Sequence, residues 1–237
     1  MKRIVLVLSF IIIAQTAYAQ LFSKDKIQNN QNIDKAQWSW GYFLGVNNYD
    51  FNFDYKQDLK DIQTVKTTGF SVGLIGNMRI NDYLDLRLEP GLFITRRDLI
   101  YDQSYFNGIS FNNSDLLREV RSTYIHIPLL LKISTKRINN IKPFIVGGFS
   151  TALNLSSNQD NPDDNSNGQF RTKKGVVFYE LGVGIDFYLP WFKFTPAIRG
   201  IFAMSDELVR DRDPNSPWTS NIVSMKTRGL FISFTFQ

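Results

Sequence analysis

Few residues in this chain are of a type that does chemistry. His126 is the only histidine, and there is no cysteine. A histidine serves as a general base when a nucleophile and an orienting acid stand beside it. Here it lies in TYIHIPLLLK, residues 123–132, between Ile125 and Ile127. Nothing in that stretch supplies either partner, so a structural histidine facing an interior is the better reading. Asp163, Asn165, Asn167 and Gly168 match D-x-[DN]-x-[DN]-G, the first half of a calcium loop. The twelfth position is Lys174, so the bidentate carboxylate is missing, and residues 158–168 read as a solvated loop tip. Gly73, Gly76, Gly147 and Gly148 sit in strand-like surroundings rather than in a phosphate loop. No catalytic residue, metal site or cofactor is expected. A third set is larger: Asp85, Arg87, Glu89, Arg97, Lys132, Glu180, Asp186, Lys193 and Arg199. These charges could line an ion path or neutralise one another in a core, depending on the elements that hold them.

Those elements are strands. Residues 81–97 read NDYLDLRLEPGLFITRR. Leu84, Leu86, Leu88, Pro90, Leu92 and Ile94 share one parity; Asp85, Arg87, Glu89, Gly91, Phe93, Thr95 and Arg97 share the other. Successive strand side chains point to opposite faces, so one face is apolar and the other is charged or small. Similar alternation runs near residues 40–55, 68–80, 84–97, 119–134, 142–155, 175–189, 192–204 and 223–236. In the first stretch the parity shifts after Asn47 and Asn48, which suggests a bulge or emergence from a membrane. Three connections are short, at residues 81–83, 136–140 and 190–191. Four are long, at about residues 56–67, 99–118, 156–174 and 205–222. Short and long alternate strictly, as short periplasmic turns and long external loops do in outer-membrane barrels.

The chain ends are consistent with export. Lys2 and Arg3 precede an apolar run from Ile4 to Ile13, and Ala17-Tyr18-Ala19 forms an A-x-A cleavage pattern. Residues 1–19 therefore read as a signal peptide, too short to span as a helix. Residues 20–38 read as a polar, mobile periplasmic segment and residues 39–237 as the barrel. Thr227, Gly229, Ile232, Phe234 and Phe236 resemble the terminal signal read by outer-membrane insertion machinery. The expected fold is all-β: an eight-stranded, antiparallel, up-and-down transmembrane β-barrel in the outer membrane of a Gram-negative bacterium, with both termini periplasmic. A soluble eight-stranded barrel is the competing fold, but it does not need the loop rhythm. Formal charge is +5 before the signal's two cations are removed, too mild to argue for nucleic acid.

An eight-stranded barrel is barely wide enough for its own side chains. The nine charges are therefore expected to pair as a plugged, structural lumen network, since an unpaired buried charge is costly. In the last long loop, Asp213, Pro214, Pro217 and Trp218 form a stiff segment with one large amphipathic ring. Such a segment suits a partner-binding hot spot; the other reading folds Trp218 back onto the aromatic rim.

Residues 124–132 (YIHIPLLLK) and 86–92 (LRLEPGL) resemble the eight-stranded PorT-like barrels. Residues 118–124 (REVRSTY), 170–174 (FRTKK), 213–219 (DPNSPWT) and 224–229 (SMKTRG) resemble the PorT (SprT) family specifically. His126 departs from the family, whose members often carry an acid or amide there. The resemblance covers nearly all of the chain after the signal. It implies a component of the type IX protein secretion system, associated with gliding, and it transfers no catalytic or binding residue. The expected partners are outer-membrane lipid and other secretion-system envelope proteins, with no nucleic acid and no small-molecule substrate. The alternatives are a stand-alone adhesin or envelope-stability barrel acting through its loops, and an outer-membrane enzyme.

Overall fold

A computed structural model describes residues 28–161, 165 and 170–237 of the chain. The signal-peptide reading, and most of the half-calcium loop, lie outside these residues. Ten strands form in chain order: β1 (Trp38–Tyr55), β2 (Gln63–Lys66), β3 (Thr68–Arg79), β4 (Leu84–Leu88), β5 (Gly91–Ile100), β6 (Leu117–Ser134), β7 (Ile141–Asn154), β8 (Gly175–Tyr188), β9 (Lys193–Ala203) and β10 (Ile222–Phe236). β2 and β3 are two pieces of one stave, as are β4 and β5, because both pieces of each share their partners. The staves pair antiparallel with their sequence neighbours, and β1 pairs with both β10 and β3. The sheet thus closes on itself as eight staves, and closure removes the sheet edge except along the four-residue β2 extension, which pairs with β5 alone.

The break between β4 and β5 falls at Glu89 and Pro90, where proline has no N–H to give the ladder. The wall stays sealed there: Leu74 N–H donates to the Pro90 carbonyl (2.9 Å) and Glu89 N–H to that of Pro128 (3.2 Å). The parity change expected at Asn47 and Asn48 is not a bulge. β1 keeps one register against β10 from Tyr42↔Phe236 to Phe53↔Met225, and shifts only between Asp54 and Tyr55. Tyr49 and Phe51 simply stay on the inward parity, where they are buried. What changes is the wall: outward residues pass from Leu44 and Val46 to Asn48 and Asp50, so this strand outruns its apolar belt. β1 and β6 are 18 residues each, longer than the ~9–11 that a bilayer needs. β2 likewise extends the wall into what the sequence marked as loop.

The faces are inverted relative to a soluble protein. Along β4, β5 and the break between them, the inward Asp85, Arg87, Glu89, Phe93, Thr95 and Arg97 are 0–8% exposed, while the outward Leu88, Leu92 and Ile94 are 42–53% exposed. At the end carrying the short turns, Trp38, Trp40, Tyr42, Tyr83 and Trp191 stand outside as an aromatic rim.

Candidate functional site

All nine charges marked by the sequence are buried inside the barrel, at 0–8% exposure. They fall into three tiers. Nearest the short turns, Lys132 Nζ lies 2.5 Å from Asp186 Oδ2 and over the Phe144 ring, while Thr195 Oγ1 donates to Asp186 Oδ1 (2.7 Å). Asp85 faces Lys132 in register across the wall, and with Lys142 and Lys193 it lines a small polar cavity. That tier is capped from the end of the barrel by residues 28–37, read from sequence as mobile. Asn29 N–H donates to Asn140 Oδ1 (2.9 Å), and the Tyr188 hydroxyl donates to Asp34 Oδ1 (2.8 Å). Arg137 joins them, stacking on Tyr188, donating to the Asn29 carbonyl and lying 3.6 Å from Asp34.

In the middle tier, Arg199 Nη1 lies 2.9 Å from Glu89 Oε2 and 3.4 Å from Glu180 Oε2. Arg87 Nη2 holds the other Glu89 oxygen at 2.8 Å, and His126 Nε2 lies 2.6 Å from Glu180 Oε1. His126 is wedged between Phe93 and Phe178, with ring centroids at 4.7 and 5.5 Å. Phe43, Phe93 and Phe231 meet across the lumen at 4.8–6.2 Å. This arrangement leaves the imidazole no room for a substrate.

The upper tier differs from expectation. Arg97 does not join the acids of the other tiers. It donates to Thr227 Oγ1 (2.8 Å), Ser122 Oγ (2.9 Å) and the Tyr124 hydroxyl (3.1 Å), and lies 3.8 Å over Phe51. Its acidic counterpart is Glu207, from the last loop, which accepts from Thr227 N–H (2.7 Å) and from Tyr124 (3.3 Å). Burial pushes the Glu207 carboxyl above its ordinary range. Sequence reasoning missed Glu207 because a loop has no parity to read; it missed Lys142 although its inward parity on β7 was legible.

Above this tier the long loops pack on one another. Phe51, Leu99, Tyr101, Phe106, Phe170 and Met225 belong to a second apolar core, against which Trp218 packs. Trp218 Nε1–H donates to the Asp115 carbonyl (3.0 Å), Arg118 stacks over the ring at 4.4 Å, and Phe106 meets it edge-on. The ring is thus half-buried in a loop cap rather than set on the rim among the lipid-facing aromatics. Pro217 is buried, whereas Asp213 and Pro214 remain exposed. Arg118 Nε also donates to the Asn165 carbonyl (3.0 Å), and Arg171 reaches Asp211 Oδ1 (3.0 Å), tying three loops together. Asn165, the one described residue of the half-calcium motif, turns its side-chain oxygen to Arg171 N–H (2.9 Å). Among the described residues no group of three or more His, Asp or Glu could hold a metal. At the edge of the cap, Lys60 hydrogen-bonds Asp102 at 2.8 Å; with the Ser104 N–H it holds that carboxyl down at about 2.

Residues 18–209 match the family model described as outer membrane protein beta-barrel domain. Among solved structures the chain is similar to OprG of Pseudomonas aeruginosa, at 14% identity over 83% of this chain and 95% of that one, TM-score 0.47. It is also similar to NspA, a neisserial surface protein, at 12% identity over 84% and 98%, TM-score 0.41. Ail of Yersinia pestis, solved with the heparin analogue sucrose octasulfate, matches at 11% identity over 85% and 99%, TM-score 0.39. No curated protein matches the chain.

Proposed function

The chain belongs to the outer membrane protein β-barrel domain family, and from that premise we propose that it is a non-enzymatic component of the type IX protein secretion apparatus, acting through protein–protein contacts. One observation carries this reading. The loop segments that resemble the PorT family, around residues 118–124, 170–174 and 213–219, interlock in a single cap through Arg118, Arg171, Asp211 and Trp218. A lipid-facing wall does not require those residues, whereas an ordered loop surface presented to a partner would use them. The lumen is filled by three tiers of side chains, so the barrel offers a partner its surface and not a passage. The exposed part of the hairpin that carries Trp218, including Asp213 and Pro214, is the face available for such contact, with the indole fixing it from beneath. The partners are other envelope proteins of the apparatus.

Deleting the gene should abolish export of many unrelated proteins, and the intact barrel should retain envelope partners through mild detergent extraction. Unchanged export, with only surface attachment lost, would favour the stand-alone adhesin instead.

The orientation follows from the loop rhythm: cap outside, short turns and both termini in the periplasm. The chain has no native cysteine, so single cysteines report position cleanly. Asp160→Cys and Asn215→Cys should react with an impermeant maleimide on intact cells; Asp82→Cys and Asn139→Cys should react only after the membrane is breached. The reverse pattern would invert the topology.

A further inference from the structure

At the turn end of the lumen lies a recessed polar cavity of about 20 Å³, walled on the side of the N-terminal segment by Ile33, Asp34 and Ala36. Asp85, Lys142 and Lys193 line it and are only 6–9% exposed. Among the described residues none of these three side chains makes a hydrogen bond or a contact ion pair. Lys142 faces Asp186 in register, and Lys193 stands near it. That carboxylate is already taken, one oxygen by Lys132 at 2.5 Å and the other by the Thr195 hydroxyl at 2.7 Å. The remaining charges at the cavity are paired too: Asp34 with Arg137 and the Tyr188 hydroxyl, Arg79 with Asp82. Farther in, the middle tier balances Arg87 and Arg199 against Glu89 and Glu180, and the upper tier balances Arg97 against Glu207. The tier at the turns does not balance. It sets Lys132, Lys142 and Lys193 against Asp85 and Asp186, an excess of one positive side chain. A buried charge without a counter-charge is costly, and a ligand that supplies one is favoured accordingly.

We propose that this cavity binds one small monovalent inorganic anion, of halide size, held by the ammonium groups of Lys142 and Lys193. One water needs ~10–15 Å³ of such space, so the volume admits a single monatomic ion and excludes a phosphate or an organic acid. An ammonium is a compact point charge with three rotatable donors, which suits a sphere; a guanidinium fork would suit a planar carboxylate. A cation would meet two ammonium groups for one free carboxylate. Water alone would fill the space and leave the excess charge uncompensated. Asp85 opposes the anion and weakens its hold without cancelling both lysines. The site does not rest on the secretion role and can stand or fall without it.

The test unfolds the full barrel with urea in sodium gluconate and in sodium chloride or bromide of equal ionic strength. Loss of heat-modifiable gel mobility is the readout. Halide should lower the unfolding equilibrium constant about threefold or more, because it binds the folded state alone. Lys142→Met and Lys193→Met should each abolish that difference. Asp85→Asn removes the opposing carboxylate and should enlarge the difference severalfold, whatever it does to stability itself. Crystals grown in bromide should show an anomalous peak between Lys142 and Lys193. If neither lysine variant folds, the Asp85→Asn series and the bromide peak decide. A halide effect that persists in a folded lysine variant, or that fails to grow in Asp85→Asn, would overturn the proposal. So would a cavity without a bromide peak. A peak in a barrel whose stability ignores halide would mark an adventitious ion only, and would overturn it as well.

Discussion

Replacing Arg199 with leucine is expected to destabilise the folded barrel by about 3–5 kcal/mol, the usual range when one partner of a buried ion pair is removed. Arg199 is 2% exposed and lies between Glu89 and Glu180. Its loss leaves Glu89 with Arg87 alone and Glu180 with no guanidinium, only the His126 ring at 2.6 Å. It also removes a guanidinium that lies 4.9 Å over Phe231. Adding Glu180→Gln to Arg199→Leu should restore more than half of the loss, because the second change removes the carboxylate left uncompensated. The readout is the urea midpoint for loss of heat-modifiable mobility. A single-variant effect below about 1 kcal/mol would mean that water already screens this tier, and the packed lumen would have to be abandoned.

The second large effect is an absence of conductance. The purified barrel should be electrically silent in planar bilayers, and it should stay silent after deletion of residues 20–37. Within that segment, residues 28–37 pack against the turn end, through Asn29 and Asp34. Behind it stand the Lys132–Asp186 tier, the Arg199 tier with Phe43, Phe93 and Phe231 meeting across the lumen, and the loop cap. Every stave contributes a buried apolar residue to the central cluster, among them Ala152 on β7 and Ile201 on β9. A porin-sized current from the full-length barrel would contradict the filled lumen. A current appearing only on truncation would assign the closure to the N-terminal segment alone. Silence in both means that the barrel itself offers no aqueous path across the membrane.

The sequence by itself determined the parity of the walls. Strand side chains alternate whatever the strand pairs with, so Leu88 against Arg87, or Leu181 against Glu180, could be placed outside and inside from spacing alone. The rhythm of short and long connections likewise gave the number and order of staves. The tertiary structure decided what depends on closure and on loops. Pairing across the lumen is set by register around the whole ring, which is why Arg199 meets Glu89 and Glu180 while Arg97 is left to hydroxyls and to Glu207. The run of aromatics from Tyr49 onward reads as a change of face in one strand. In the barrel it is one unbroken parity facing a different filling, where the apolar loop core replaces the polar tiers. Residues 28–37 and the 204–221 loop have no periodicity, so nothing local distinguishes a mobile tail from a plug, or an open anchor from a Trp218 held by Asp115 and Arg118. Periodicity records the neighbours a residue has along its own strand; contacts made by aperiodic segments exist only once the barrel has closed beneath them.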